Sequence, residues 1–211
     1  MRVRHLIRWT LVLPAALTLV AARPAAADHD GEPARTAARP DTAGPAPVFE
    51  GMGKYHRAIS TRTPAAQRYF DQGMNFLWGF NLHEAQRLVE ECAKLDPECA
   101  MCEWGVAMSL GPHFNVPALP PRTVAAHAHA QKALKLLAGA TPVERGLVEA
   151  VSSRYSDPAP TNPDDQKKLD TAYADSMESL MKRHPDDNDV VALWCEAMMD
   201  VRPWDLWTVD E

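Results

Sequence analysis

Three prolines, each placed directly after a side chain that can cap a helix, limit what this chain can fold into. They occur at Thr63-Pro64, Thr141-Pro142 and Asn162-Pro163. Proline lacks the N–H that would have no partner in the first helical turn, so it is favoured there after a capping residue. Apolar residues then recur every three or four positions, and no stretch alternates with a period of two. The sequence therefore predicts an all-α fold. We expect helices near 64–79, 82–95, 100–110, 122–138, 142–155, 163–184 and 188–200.

The first 27 residues have the three parts of a secretory signal peptide. Arg2, Arg4 and Arg8 form a basic start, a short apolar run follows, and Ala25-x-Ala27 ends in small residues. The apolar run is too short to span a membrane comfortably. We therefore expect residues 1–27 to be removed by cleavage near Ala27. The mature chain is expected to be exported, periplasmic or secreted, and not inserted in a membrane.

The remaining chain divides by composition into a linker and one domain. Without the first 27 residues it has 18 basic and 28 acidic residues, a net charge of about −10, which argues against nucleic acid as a partner. Residues 28–60 are rich in Pro, Ala and Gly. They predict a segment of low order up to about Pro47, followed by a lead-in that docks on the domain. Residues 61–211 are expected to form one helical domain, long enough to bury a core.

The spacing of small residues suggests that the helices form repeated pairs. Gly73, Ala85, Cys92 and Pro97 match the small, small, small and proline positions of a 34-residue tetratricopeptide repeat (TPR), and HPDDNDVVALWCEA at 184–197 begins another unit. Small side chains at these positions let antiparallel helices approach closely. The chain thus resembles the TPR family, and this resemblance implies antiparallel helix pairs stacked as a TPR-like α-solenoid.

A narrower resemblance is to a group of exported TPR proteins with a CAMCxWG-type motif. The matching segments are TPAAQRYFDQG at 63–73, FNLHEA at 80–85, DPECAMCEWGVA at 96–107, LGPHFN at 110–115 and RPWDLW at 202–207. This group implies no established reaction, so it supplies an architecture rather than a chemistry. Its members continue with further repeats, and we therefore expect the domain to be truncated at its C-terminus.

Three of the four cysteines lie within eleven positions, and the last two form a C-x-x-C pair. Covalent haem attachment would need histidine where Glu103 stands. A zinc site needs four ligands, and the nearest histidines would lie about 13 and 16 Å away along continuous helices. A copper ion held by Cys92, Cys99 and Cys102 remains an alternative because thiolates suit copper(I). A thiol oxidoreductase is a weaker alternative, since no βαβ pattern accompanies the pair.

In an exported protein the same cysteines favour a disulfide that involves Cys102. We favour the pairing Cys99–Cys102 because it needs no precise tertiary contact. The pairing Cys92–Cys102, which would clamp the turn between two helices, stays open. Cys195 falls at a small packing position and is expected to be a free, buried thiol.

The repeat register places Met and aromatic side chains of the first helices on a concave groove. The predicted groove residues are Phe70, Met74, Trp78, Met101, Trp104 and Met108. Such a groove suits an extended peptide or an amphipathic helix. The alternative is that several of these side chains simply fill the core.

No catalytic constellation emerges from the sequence. It has no Gly-rich phosphate loop, G-x-S-x-G or H-E-x-x-H motif. His127 and His129 point away from each other on a helix and are interpreted as solvent-facing. We therefore expect a non-enzymatic scaffold, without a cofactor, that binds a partner protein or peptide through its concave groove. A copper-binding protein and a thiol oxidoreductase are the alternatives.

Overall fold

The computed structural model describes residues 44–205, which form seven α-helices and no β-strand. The helices are α1 (Pro64–Trp78), α2 (Leu82–Leu95), α3 (Ala100–Leu110), α4 (Pro120–Lys135), α5 (Pro142–Ser153), α6 (Pro163–Arg183) and α7 (Asn188–Val201). The predicted all-α class is confirmed, and each helix end lies within three residues of its expected position. Within residues 44–205 no helix is both long and apolar enough to cross a membrane. The expected signal peptide, residues 1–27, lies outside the described residues.

Two of the three proline-led helix starts are capped as the sequence predicts. Thr141 and Glu144 form a reciprocal capping box at the start of α5. Asn162 accepts a hydrogen bond of 2.8 Å from the backbone N–H of Asp165. Thr63 makes no side-chain cap, so that prediction was wrong, although α1 still begins directly after it. The preset φ of proline at the first helical position is enough to start the helix there.

Helix α3 lies at the centre of the domain. It packs against α1, α2, α4 and α5, and all eleven of its residues are buried. The other helices pack mainly on their neighbours along the chain. A helix covered on every side needs apolar residues all round rather than one apolar stripe, and AMCEWGVAMSL meets that demand except at Glu103 and Ser109.

Close approach of α1 and α3 to α2 depends on two glycines that face one valine. A Cβ atom added at Gly73 would lie 2.6 Å from Cγ1 of Val89, and one at Gly105 would lie 2.9 Å from the same atom. Real Cβ atoms do not approach so closely. Val89 is itself 1% exposed and, being β-branched in a helix, has little rotamer freedom with which to move away. Gly73, one of the small positions noticed in the sequence, thus marks a true helix contact, and Gly105 adds a second that the sequence analysis did not single out.

Residues 44–63 precede α1 as an extended segment that is docked on the helices. The backbone N–H of Phe49 donates to the side chain of Gln72 over 3.0 Å, and the Gln72 amide donates back to the Phe49 carbonyl over 2.7 Å. The Arg57 guanidinium donates two hydrogen bonds, of 2.8 and 3.0 Å, to the carboxylate of Asp187. The predicted lead-in therefore docks, and it reaches from α1 to the start of α7.

The packed segment begins earlier than the composition indicated. Ala46 is only 4% exposed, and its carbonyl accepts a hydrogen bond of 2.8 Å from the hydroxyl of Tyr69. The prediction of low order up to about Pro47 is therefore wrong at Ala46, near the end of the predicted low-order stretch. Residues 28–43 lie outside the described part of the chain.

We predict that Gly73→Ala lowers the free energy of unfolding by about 1–2 kcal/mol. The overpacking against Val89 costs roughly 1–3 kcal/mol, and the better helix propensity of alanine returns at most about 1 kcal/mol. Urea denaturation of Gly73→Ala, Val89→Ala and the double variant measures this. The double variant should lose less stability than the sum of the two single variants, because the smaller residue 89 removes the clash. A Gly73→Ala protein as stable as the wild type would contradict the close contact.

Candidate functional site

The structure pairs Cys92 with Cys102 in a disulfide. Their Cα atoms are 5.4 Å apart, which lies in the range that disulfides span. Cys92 lies in the last turn of α2 and Cys102 in the first turn of α3, and these helices pack on each other. The favoured pairing Cys99–Cys102 was wrong, because helix packing supplies the tertiary contact that the longer bridge needs. Cys99 is instead the N-cap residue of α3 and a free thiol.

The sulfur cluster is poorly arranged for metal binding or thiol exchange. In the disulfide form two of the three proposed copper ligands no longer carry thiolates. Cys99 is 1% exposed, and burial raises the pKa of its thiol, whereas reactive cysteines have lowered pKa values. Among residues 44–205 no three His, Cys, Asp or Glu side chains form a group that could hold a metal ion. Cys195 is free as predicted, but it is exposed rather than buried.

Four of the six predicted groove residues lie in the core and present no open surface. Phe70, Met74, Met101 and Trp104 are each 0–1% exposed, and the rings of Phe70 and Trp104 are 6.3 Å apart. Helix α3, which carries Met101 and Trp104, is covered by four other helices. Phe70 and Met74 lie on α1, which is one of these covering helices, so no open concave face remains between them. The core-filling alternative therefore describes these four. Trp78 and Met108 differ, because both line a cavity.

This cavity, of about 310 Å³, lies between the α1–α2 turn, the loop after α3 and one face of α7. We call it the aromatic-rimmed cavity. Its apolar lining includes Leu77, Trp78, Phe80, Leu82, Met108, Phe114, Ala192, Leu193 and Met199. The polar groups in its wall are His113, Arg154 and Glu196. An apolar pocket with a few convergent polar groups is the usual form of a binding site.

The α1–α2 turn presents Phe80 at the cavity at an energetic cost. Helix α1 ends in a Schellman motif, in which the N–H of Asn81 donates to Phe76 over 2.9 Å and that of Phe80 donates to Leu77 over 3.0 Å. The residue in the left-handed position is usually glycine, but here it is Phe80, with φ of 57°. Gly79 falls one position too early to take this role. Phe80 is also 52% exposed, so packing does not repay the strain of about 1–3 kcal/mol.

Other aromatic rings extend the rim beyond Phe80. Phe114 lies 5.6 Å from Phe80 between ring centroids, and Trp204 lies 6.0 Å from Phe114. Trp204 is 76% exposed and also has a positive φ, of 62°. The rim is thus a connected set of aromatic rings that remains largely open to solvent.

Arg154 forms the buried end of the cavity. It is the C-cap residue of α5 and only 1% exposed. Its guanidinium lies 4.6 Å from the ring centroid of Tyr173, donates to Asp200, and lies 3.9 Å from the carboxylate of Glu196. A buried charge must be paired, and these contacts from α6 and α7 hold it in place.

The carboxyl groups around Arg154 outnumber it. The carboxyl groups of Glu196 and Asp200 hydrogen-bond to each other, which requires a proton on one of them, and Nε of Arg154 is buried without a hydrogen-bond partner. Burial raises the pKa of Asp170, Glu196 and Asp200, against the opposing pull of Arg154, and the pKa of Asp200 reaches about 8. The cluster is therefore short of positive charge.

None of these charged residues was among the predicted site residues. A signal was present for two of them, because Glu196 and Asp200 are four positions apart and so share one face of α7. Arg154 gave no such signal, since it follows the apolar series of α5 and looks like an ordinary residue at a helix end. Only the packing of α5, α6 and α7 brings the charges together.

A second buried carboxylate corrects the interpretation of the HAHA stretch. Glu103 is 1% exposed and lies 2.6 Å from both Nδ1 of His129 and Nζ of Lys132. Burial would raise the pKa of Glu103, but the hydrogen bonds from these two partners outweigh it and lower the pKa. His129 is therefore a partner of the core helix α3 and not only a solvent-facing residue. Both oxygens of the Glu103 carboxylate thus have a partner, and the charged residue that α3 carries into the core is compensated there.

No family model, curated protein or solved structure is similar enough to this chain to count as a match. The interpretation of the site therefore depends on its own geometry and on the sequence motifs.

We predict a specific order of thiol labelling. Iodoacetamide should modify exposed Cys195 in the native protein, and Cys99 only after denaturation without reductant. Trypsin cleavage after Lys94 separates Cys92 from Cys102, so mass spectrometry should find their two peptides joined. Alkylated Cys92 in unreduced protein would contradict this pairing. In the chain-entropy model a bridge with a sequence separation of 10 contributes roughly 2.7 kcal/mol, which the doubly substituted Cys92→Ala/Cys102→Ala protein should lose.

The raised pKa values also predict how stability depends on pH. Between the unfolded-state pKa of Asp, about 3.9, and the folded-state pKa of Asp200, about 8, the native protein holds more protons than the unfolded one. The free energy of unfolding due to this cluster therefore falls as the pH rises. Glu196→Gln removes a negative neighbour, so it should lower the pKa of Asp200 and flatten the fall.

Urea denaturation at several pH values between 5 and 8 measures this dependence. Glu149→Gln, at an exposed position of α5, is the matched control and should keep the wild-type slope. Equal slopes in wild type and Glu196→Gln would show that the cluster does not titrate in this range.

Proposed function

We propose that the chain is an exported, non-enzymatic, TPR-like scaffold that binds a partner polypeptide at the aromatic-rimmed cavity. The observation that carries this proposal is Phe80, an exposed aromatic residue held in a left-handed backbone conformation at the mouth of an apolar cavity. Strained residues persist where the surrounding structure holds them, and they cluster at ligand-binding sites. The proposal keeps the expected partner type but moves its site from the concave groove to the helix ends.

The dimensions favour a polypeptide with a protruding apolar side chain. A volume of about 310 Å³ lies at the lower end of the range for ligand pockets, so the cavity itself accepts only a small group. The aromatic surface continues outside it through Phe114 to Trp204. A partner that inserts one side chain and covers the rim would use both, in the way that anchor residues fill pockets at protein interfaces.

Three observations support the architecture and the location in this proposal. The contact of Gly73 and Gly105 with Val89 agrees with close packing at the small positions of a helical repeat. The Cys92–Cys102 disulfide agrees with export, because oxidising compartments preserve such bonds. The signal-peptide pattern at the N-terminus points in the same direction.

The test is selection of peptides that bind the purified chain, followed by blocking of the cavity. The probe is a displayed library of random 12-residue peptides, and we expect enriched sequences to share a large apolar side chain. Ala192→Trp places a bulky ring at an exposed position in the cavity wall. This substitution should lower the affinity of the selected peptides for the chain by about tenfold or more, as the loss of one anchor contact does.

Ala128→Trp is the matched control, because Ala128 is an exposed helix alanine of α4 that does not line the cavity. Its affinity for the selected peptides should equal that of the wild type. An equal loss of peptide affinity in both variants would show that the binding surface is not the cavity. A library from which no peptide is enriched would overturn the proposed function.

A further inference from the structure

Glu196 and Asp200 share one proton beside the guanidinium of Arg154. The two acidic residues lie one turn apart on α7, and their carboxyl groups hydrogen-bond to each other. Arg154, at the end of α5, pairs with Asp200 and lies 3.9 Å from Glu196. With the proton in place, the guanidinium charge balances one carboxylate charge. Without the proton, two carboxylates face one guanidinium, and the group of three side chains carries a net negative charge.

Glu196 connects this group of side chains to the aromatic-rimmed cavity. Glu196 and Arg154 lie in the wall of that cavity, whereas Asp200 lines a neighbouring one. The side chain of Glu196 is 19% exposed, compared with 1% for Arg154 and 4% for Asp200. Water therefore reaches the three side chains mainly at Glu196. A ligand that fills the aromatic-rimmed cavity covers Glu196 and takes this water away.

The loss of water makes the affinity of an apolar ligand depend on the shared proton. Desolvation is more costly for an ionised carboxyl pair than for one that holds a proton, and an apolar ligand offers no hydrogen bond in return. The apolar part of the wall, such as Leu77, Phe80 and Met199, makes the same contacts in both states. The difference in affinity between the two states therefore comes from Glu196 and Asp200.

We propose that the proton shared by Glu196 and Asp200 controls the aromatic-rimmed cavity, which holds an apolar side chain of the partner tightly while the proton is present and loosely once it is lost. This inference rests on the proposed function and adds a regulation of the same site by pH. It requires no movement of α7, because the change lies in the cost of removing water from the cavity wall. Arg154 acts as a positioning residue that keeps the two carboxyl groups together.

The other ionisable groups near the pair are separable from it. Within residues 44–205 the ionisable side chains of the cavity wall are His113, Arg154, Cys195 and Glu196. Burial lowers the pKa of His113, so its ring is neutral above pH 7. Burial raises the pKa of Asp170, but Asp170 lines the neighbouring cavity. Burial also raises the pKa of Tyr155 to about 12 and that of Tyr173 further, so both keep their protons. Cys195 is therefore the wall residue that a control must remove.

The direction of the pH dependence follows from the free chain. Burial raises the pKa of Asp200 to about 8, against the opposing effect of Arg154, and Glu196 and Asp170 raise it too. A ligand that covers Glu196 raises this pKa further, because the protonated pair tolerates the loss of water better. Affinity is therefore highest below about pH 8 and falls as the pH rises through the raised value. Each pKa unit that binding adds corresponds to about tenfold in affinity between the two states.

The test measures binding of N-phenyl-1-naphthylamine, a neutral probe whose fluorescence increases in apolar surroundings, to the purified chain at about pH 7 and about pH 9.5. We expect its affinity to fall about threefold or more at the higher pH. Calorimetry near pH 8 in buffers of different ionisation enthalpy should show that binding takes up a proton. Ala192→Trp, which fills the cavity, should remove the pH-dependent binding. Far-ultraviolet circular dichroism at each pH checks that the chain stays helical.

Glu196→Gln and Asp200→Asn each leave one carboxylate for Arg154 and no shared proton, so each should bind the probe equally at both pH values. Cys195→Ala and Glu149→Gln, the controls for the thiol and for an exposed acid, should keep the wild-type fall. Equal affinities in the wild type, a fall retained in either folded carboxyl variant, or a fall abolished by Cys195→Ala would overturn this inference.

A wild-type chain that binds no probe at either pH would overturn the inference as well. The proposed function is decided separately, because the peptide selection and its blocking by Ala192→Trp are carried out at a single pH. A cavity that binds selected peptides with the same affinity at both pH values would remain a peptide site without control by the shared proton.

Discussion

The complete burial of α3 is the constraint on which the rest of the structure depends. The helix is covered by α1, α2, α4 and α5, and close contact with α2 requires glycine opposite Val89. Because every face of α3 is used in packing, its Met101 and Trp104 side chains are not available to a partner, whereas Met108 reaches the wall of the aromatic-rimmed cavity. The open apolar surface lies instead where helices end, at the α1–α2 turn and beside α7. Core packing has thus decided the location of the candidate site.

Local features of the sequence were sufficient for the helices but not for the site. Thr141 and Asn162 act on their own first turns, so their effect could be read from neighbouring residues alone. The groove prediction needed more, since the repeat register shows which residues face a neighbouring helix but not whether that helix covers them. Trp104 illustrates this, because its side chain is 1% exposed at a position that the register assigned to an open face. The Cys92–Cys102 pairing likewise depended on how α2 packs against α3.

The charged cluster around Arg154 is a poor device for stability alone. A buried ion pair rarely outperforms apolar side chains of the same volume, because each charge must first lose its water. Here burial also raises the pKa of Asp200 and Glu196, so ionised carboxylates are costly at this position. Neighbouring apolar residues such as Leu193 show that α7 can supply a buried hydrophobic contact at this site. A cluster that costs stability and borders a cavity is more readily explained by binding than by folding.

The extended segment before α1 connects this site to the rest of the domain. Ser60 donates two hydrogen bonds, each of 2.5 Å, to Glu144 on α5, and Arg57 holds Asp187 and Asp189 at the start of α7. Arg57 is mostly buried, at 13% side-chain exposure, so these ion pairs are less screened than surface pairs. One short segment therefore fixes α5, which carries Arg154 at its end, relative to α7, which carries Glu196. The separation of these two groups, and with it the shape of the cavity, depends on residues that lie outside the seven helices.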